Sequence, residues 1–404
     1  MDSREQVNLS DVLQKKGYIR GPFGSALKRG DMKETGIPVY EQQHAIYNHR
    51  NFRYFIDDEK FNEMQRFQVQ TNDLIISCSG TVGKVSIINE EDPKGIISQA
   101  LLLLRANTDK ILPEYLRYFF TSSEGYNAIV SRSSGSVQVN ISKRNVIEQI
   151  PLSLPTLATQ KKIVDILGDI DKKIKTNEMI NENLLQQALA IYKAWFCDYV
   201  LSDGALPESW HITTIDELSS LVTRGIAPKY DDSSNQIVLN QKCIRDHTID
   251  VSLARRHLPK KINEKWISKG DLLINSTGTG TLGRVAQVWF DANNMTVDSH
   301  VTIVRPKAPI LQSYIGFWGL SHESEIEAQH TGSTGQTELP RDRVKAMELI
   351  LPDGDTLSNF NELVIPMTDA VVSNQKENAQ LSQLRDTLLP KLMSSKIDVS
   401  ELEL

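Results

Sequence analysis

The chain has 404 residues, 40% hydrophobic and 24% charged, with a formal net charge of −6. That length fits two or three domains better than one core. No apolar run approaches the roughly 18 residues that a membrane helix needs, and Met1-Asp2-Ser3-Arg4-Glu5 is too polar for a signal peptide. Cys78, Cys197 and Cys243 lack metal-ligand spacing, and no two histidines fall in a His-x-x-x-His pair. Free thiols in a reducing cytoplasm, with no metal, no cofactor and no membrane partner, are therefore expected.

Residues 1–155 read as a mixed α+β domain. Short β-like runs (Ile37 to Tyr40, Leu74 to Ser77, Val85 to Asn89, Ala100 to Leu104) alternate with Gly- and Asn-rich turns. A helix is expected from Leu112 to Thr121, where Leu112, Tyr115, Leu116 and Phe119 share a face. Residues 156–200 read as one long helix. Leu206-Pro207-Glu208-Ser209-Trp210 then opens a second mixed domain over 201–355, and 356–404 form a second helical stretch with a tail.

The second half repeats the first. Asp73-Leu74-Ile75-Ile76 returns as Asp271-Leu272-Leu273-Ile274, and Gln43-His44-Ala45-Ile46 as Gln241-Lys242-Cys243-Ile244, both 198 residues later. The helices repeat as well. A heptad seam runs through Ile163, Leu167, Ile170, Ile174, Asn177, Asn181, Leu184, Ala188, Ile191 and Trp195. Its copy runs through Phe360, Val364, Met367, Val371, Asn374, Asn378, Leu381, Arg385, Leu388 and Leu392. Only Arg385, which stands where the first seam has Ala188, breaks the match. Such spacing is a coiled-coil seam. An antiparallel pairing would set Asn177 beside Asn378 and Asn181 beside Asn374, so that each amide meets an amide and the register is fixed. Pro366 should kink the second helix or mark its start.

Three features recur at matched places and could carry binding. The first is a Gly-rich loop, Ser79 to Lys84 and Thr279 to Arg284, which places Thr81 and Lys84, or Thr281 and Arg284, at the tip of a hairpin. Its glycines are too close for a P-loop, whereas Lys84 or Arg284 could reach a DNA phosphate. The second is a Ser/Gly-rich loop that offers Arg132, Ser136 and Gln138 in the first half, and His330, Ser333 and Gln336 in the second. The third is a stretch rich in groups that read base edges: Gln43, His44, Tyr47, Arg50 and Arg53, against Gln241, Lys242, Arg245, Arg255 and Arg256. Gln suits adenine, and Arg or Lys suits guanine. The two lists differ almost everywhere else, as expected of one fold reading two sequences. Residues 242–269 carry eight basic and three acidic side chains, a basic patch on an acidic protein. No Asn-Pro-Pro-Tyr methylation motif and no Gly-x-Ser-x-Gly elbow occurs, so the chain reads as a binder without a reactive centre.

Several of these segments resemble the specificity subunit of type I restriction–modification systems, over essentially the whole chain. The segments are Leu206 to Trp210, Ala190-Ile191-Tyr192-Lys193-Ala194-Trp195-Phe196, Leu384-Arg385-Asp386-Thr387-Leu388-Leu389-Pro390-Lys391-Leu392 and the two Gly-Thr-x-(Leu/Val)-Gly hairpins. The first half departs from the pattern by lacking the Leu-Pro-x-x-Trp opening. The resemblance implies two target-recognition domains separated by antiparallel spacer helices, each domain binding one half of a split site in double-stranded DNA. It implies a non-catalytic subunit that recruits two methyltransferase subunits and then ATP-dependent restriction subunits. The helices would set the gap between half-sites. A self-contained DNA-modifying enzyme and a coiled-coil scaffold without sequence preference are the competing readings.

Overall fold

The computed structural model describes residues 4–132, 140–258, 263–332 and 337–399. The chain divides into two compact units, Met1–Ile174 with Ala379–Leu404, and Lys175–Asn378.

In the first unit a four-stranded antiparallel sheet runs in the order Leu13–Arg20, Leu101–Ala106, Leu74–Ser77, Val85–Ile87. Leu74 to Ser77 is buried throughout, so an unbroken apolar run and not an alternating one specifies this central strand. A smaller sheet places Ile37–Tyr40 between Phe55–Ile56 and Ile96–Ile97. The expected helix forms as Pro113–Thr121, with proline in its first turn, where a missing N–H costs nothing.

The second unit repeats this topology. Its sheet runs Ser219–Arg224, Val301–Pro306, Leu272–Asn275, Val285–Gln287, and its small sheet sets Ile237–Leu239 between Arg255–Arg256 and Met295–Val297. One buried device recurs in both. Asp73 accepts two bonds from Arg105 at 2.8 and 2.7 Å and a third from the Gln70 amide. Asp271 does the same with Arg305 at 2.9 and 2.7 Å and with Ser268. Both carboxylates are almost fully buried, and removing the arginine partner of such a pair costs about 3–5 kcal/mol.

The two long helices are Leu157–Phe196 and Gly354–Met393. The second is continuous through Pro366, without the expected late start. Asp353 immediately precedes it, and its carboxylate accepts the Thr356 amide at 2.8 Å and the Trp210 indole N–H at 2.8 Å. In the first unit Arg4 precedes the strand Glu5–Asn8 as Trp210 precedes His211–Thr214. It donates to the carbonyls of Leu392 and Met393 at the other end of the same helix.

Within the second unit, Asn177 donates to Asn378 at 2.8 Å and Asn374 donates to Asn181 at 2.8 Å. The partner's number falls by four as the first rises by four, so the helices run antiparallel there. Asn177 is fully buried and also donates to Glu377 at 2.7 Å. The terminal turns depart from the expected seam. Tyr192 and Phe196 are buried instead of Ile191 and Trp195, and Leu389 instead of Leu388. A straight helix drifts by about 20° per heptad, and at these ends each helix packs on the core of its own unit.

Candidate nucleic-acid interface

Each unit ties the glycine loop, the base-reading stretch and the residue that follows the Ser/Gly loop into one edge. In the first unit the glycine loop is a hairpin between the antiparallel strands Leu74–Ser77 and Val85–Ile87. Gly80 and Gly83 take φ of +67° and +85°, conformations that a side chain would strain. The Ser79 amide donates to Gln42 Oε1 at 3.0 Å, and the Ser79 hydroxyl donates to Asn140 Oδ1 at 2.7 Å. Gln42 opens the short helix Gln42–Tyr47, and Asn140 follows the Ser/Gly loop. Three segments far apart in sequence thus meet at Ser79.

The second unit builds the same junction at Thr277. Its hydroxyl donates to Gln241 Oε1 at 3.4 Å and bonds His300 Nδ1 at 2.7 Å. Asn275 donates to the Gln241 carbonyl at 3.0 Å. Glu338, beyond the second Ser/Gly loop, bridges to Thr277 and Thr331 and pairs with Arg224 at 2.8 Å. Gln241, like Gln42, opens a short helical turn behind a capping residue. The structural equivalent of Gln241 is therefore Gln42 and not Gln43, because the repeat slips by one residue between these elements. Sequence reasoning missed Asn140, His300, Glu338 and Arg224 as members of this edge. Only Gln42 left a signal, one residue from the matched glutamine.

Gly278-Thr279-Gly280-Thr281-Leu282-Gly283 has the Gly-x-Gly-x-x-Gly spacing of dinucleotide loops. That fingerprint needs a strand before and a helix after. Here the strand Val285–Gln287 follows, antiparallel to Leu272–Asn275, so the glycines serve a hairpin.

The remaining candidates divide by exposure. Thr81, Lys84, Lys242, Arg245, Arg255, Arg256 and His330 are exposed, and Gln43, Arg132, Gln241, Thr281 and Arg284 are partly so. Tyr47 is 72% exposed. Lys84 lies over the Tyr126 ring at 5.0 Å, and Arg255 over the Tyr230 ring at 3.4 Å. Arg132 donates to the Ala128 carbonyl, Arg256 to that of Ser234 and Thr281 to that of Thr277, while His330 bonds the Glu327 carbonyl. Arg53 forms a two-pronged pair with Glu41, at 2.8 and 2.7 Å, and Gln43 donates to the same carboxylate. Ser136, Gln138, Ser333 and Gln336 lie outside the described residues.

Two candidates are corrected. His44 is fully buried. Its Nδ1 accepts from the Glu41 amide at 2.7 Å and its Nε2 donates to the Asn51 carbonyl at 3.0 Å. Burial holds its imidazole below the usual pKa, so it is a neutral structural histidine with no face for a ligand. Arg50 is held inward by the Ile87 carbonyl at 2.9 Å and by Asp92 at 2.8 Å, with its side chain 18% exposed. What faces outward is a set of amide, hydroxyl and cationic groups around two glycine hairpins, chemistry suited to phosphates and base edges.

A family model described as the type I restriction modification DNA specificity domain matches residues 2–186. The chain is similar to the type I restriction enzyme MjaIX specificity subunit of Methanocaldococcus jannaschii, 23% identical over 314 residues that span 73% of this chain and 71% of that one. It is also similar to the type I restriction enzyme HindI specificity subunit of Haemophilus influenzae, 21% identical over 393 residues that span 78% and 84%. Its fold matches the crystal structure of the type I restriction–modification S subunit from M. genitalium, with a TM-score of 0.60, 14% identity, and 97% and 96% of the two chains covered. Among the described residues no helix is long and apolar enough to cross a membrane.

Proposed function

We propose that this chain, whose residues 2–186 match the family model of type I restriction modification DNA specificity domains, is the sequence-reading subunit of a type I restriction–modification complex. The observation that carries this reading is the repeated junction. Ser79 with Gln42 and Asn140, and Thr277 with Gln241 and Glu338, join the glycine hairpin, the base-reading stretch and the residue after the Ser/Gly loop in two units of one topology. A duplicated reader suits a bipartite site in double-stranded DNA, one half per unit. Residues 1–155 and 201–355 are the two recognition domains in this reading, and 156–200 and 356–404 the spacer helices. Lys84, Arg284, Arg245, Lys242 and Arg255 serve phosphates or base edges, and Gln43, Tyr47, Arg53, Thr81, Thr281, Arg132, Arg256 and His330 flank them.

The subunit itself makes and breaks no covalent bond. It positions two methyltransferase subunits on DNA, where ATP-dependent restriction subunits join it, in the cytoplasm where the DNA lies. The net charge of −6 fits a protein that leaves much of the phosphate neutralisation to such partners. Sequencing modified bases in the source genome, with and without this gene, tests the reading. A split motif methylated in both halves, lost on deletion, is expected; an unchanged methylation map contradicts it.

A further inference from the structure

An aromatic column rises from the core of the first unit to its surface. Tyr40 is fully buried and its hydroxyl donates to the Pro93 carbonyl at 2.8 Å. The His44 ring stands edge-on to Tyr40 at 5.7 Å, and His49 edge-on to His44 at 5.3 Å. The Tyr47 ring then lies parallel to His49, with centroids 6.1 Å apart and planes 7° apart. His49 is itself fixed, its Nδ1 accepting the Asn51 amide at 3.2 Å. The left-handed Asn48, φ +53°, ends the helix and turns the chain so that residues 47 and 49 stack. One ring of this column, Tyr47, is 72% exposed, so a flat aromatic face stands open above a rigid base. Gln43, one helical turn earlier, shares its side of the helix.

A duplex groove offers base edges and sugar–phosphate, not base faces. An open ring face therefore suits a nucleobase whose own face has been uncovered by unstacking. We infer that Tyr47 is a wedge that enters the base stack of the first half-site and covers the face of a base displaced there. The inference rests on the DNA-reading function proposed above. Among the described residues of the second unit the matched place holds no such ring, since the chain after Gln241 forms a short hairpin, Ile244–Arg245 with Thr248–Ile249. Only one half-site is opened in this way.

The test uses the full chain assembled with its methyltransferase subunits, and duplexes of the mapped motif with 2-aminopurine placed at each position in turn. A methyltransferase subunit turns its target base out of the stack in each half; with the natural chain, fluorescence should also rise several-fold at one further position, confined to the first half-site. Tyr47→Phe should keep that signal, and Tyr47→Ala should abolish it with a roughly 5- to 150-fold loss of affinity, the range for one aromatic stack. Motif-selective binding with no brightened position besides the methylated bases overturns the inference, as does a signal at the further position that survives Tyr47→Ala or is lost in Tyr47→Phe. Failure of the natural chain to select the motif at all would instead reject the DNA-reading function.

Discussion

Arg385 donates to Asp171 at 3.1 Å, joining the two long helices within the first unit. This arginine is the single mismatch between the two heptad seams, and its partner explains it. Asp171 also accepts from Tyr118 at 2.8 Å and from Arg117 at 3.0 Å, so one carboxylate binds both helices to the domain. The corresponding positions of the second unit hold Ala188 and Thr368, and the clasp is confined to the first.

Burial would raise the Asp171 carboxyl, but the hydrogen bonds and charges of Tyr118, Arg117 and Arg385 outweigh it and hold the group below its ordinary value of 3.8. A depressed carboxyl contributes stability that is present above the unfolded value and is lost as pH falls through the folded one. Urea unfolding followed by circular dichroism should therefore show the natural chain losing stability below about pH 4. In Asp171→Asn that part of the acid limb should flatten. At pH 7, Arg385→Ala should cost about 1–3 kcal/mol.

The asparagine layer should behave as a register device. Asn177→Ala removes the amide that donates to Asn378 and Glu377 and should destabilise by about 1–3 kcal/mol. Replacing Asn177 and Asn378 together by leucine should recover much of that loss, because two apolar groups of similar size leave no amide short of a partner. A double-mutant cycle in urea checks the coupling, and additive effects would speak against it.

His44 and the hairpin cations should separate cleanly. His44→Ala should destabilise by about 2 kcal/mol, by stranding the Glu41 amide and the Asn51 carbonyl, and leave the methylated motif unchanged. Lys84→Ala and Arg284→Ala should leave stability alone, weaken binding to all sequences alike, and lower the salt dependence by about one charge each. Filter binding across a salt series checks this.

How much of this was legible in the sequence depends on how local the signal is. The strands Ile37–Tyr40 and Leu74–Ser77 and both long helices follow from apolar runs and heptads. Pro366 does not mark a helix start, because an N–H removed at one turn does not end a helix whose buried face, Phe360, Val364 and Val371, continues on both sides. The junctions at Ser79 and Thr277 were hidden, since tertiary pairing alone brings Asn140 or Glu338 to a hairpin more than fifty residues away. His44 looked like a reader because polarity in sequence does not reveal burial.

The helices should act as a spacer whose length is read in DNA. One added heptad in each helix at the asparagine layer keeps the seams in phase and adds about 10 Å, or about 3 base pairs. Insertion in one helix alone should instead destabilise the chain, since it sets Asn177 and Asn181 against the wrong residues. Methylation mapping should show both half-site sequences kept and a longer gap; an unaltered gap would refute the spacer.

The central claim, two separate readers in one chain, is tested most directly by exchanging residues 201–355 for those of a relative with a different motif and mapping methylated bases in a host. One half of the motif should change to that of the donor while the other half stays. A change in both halves, or in neither, would contradict the account.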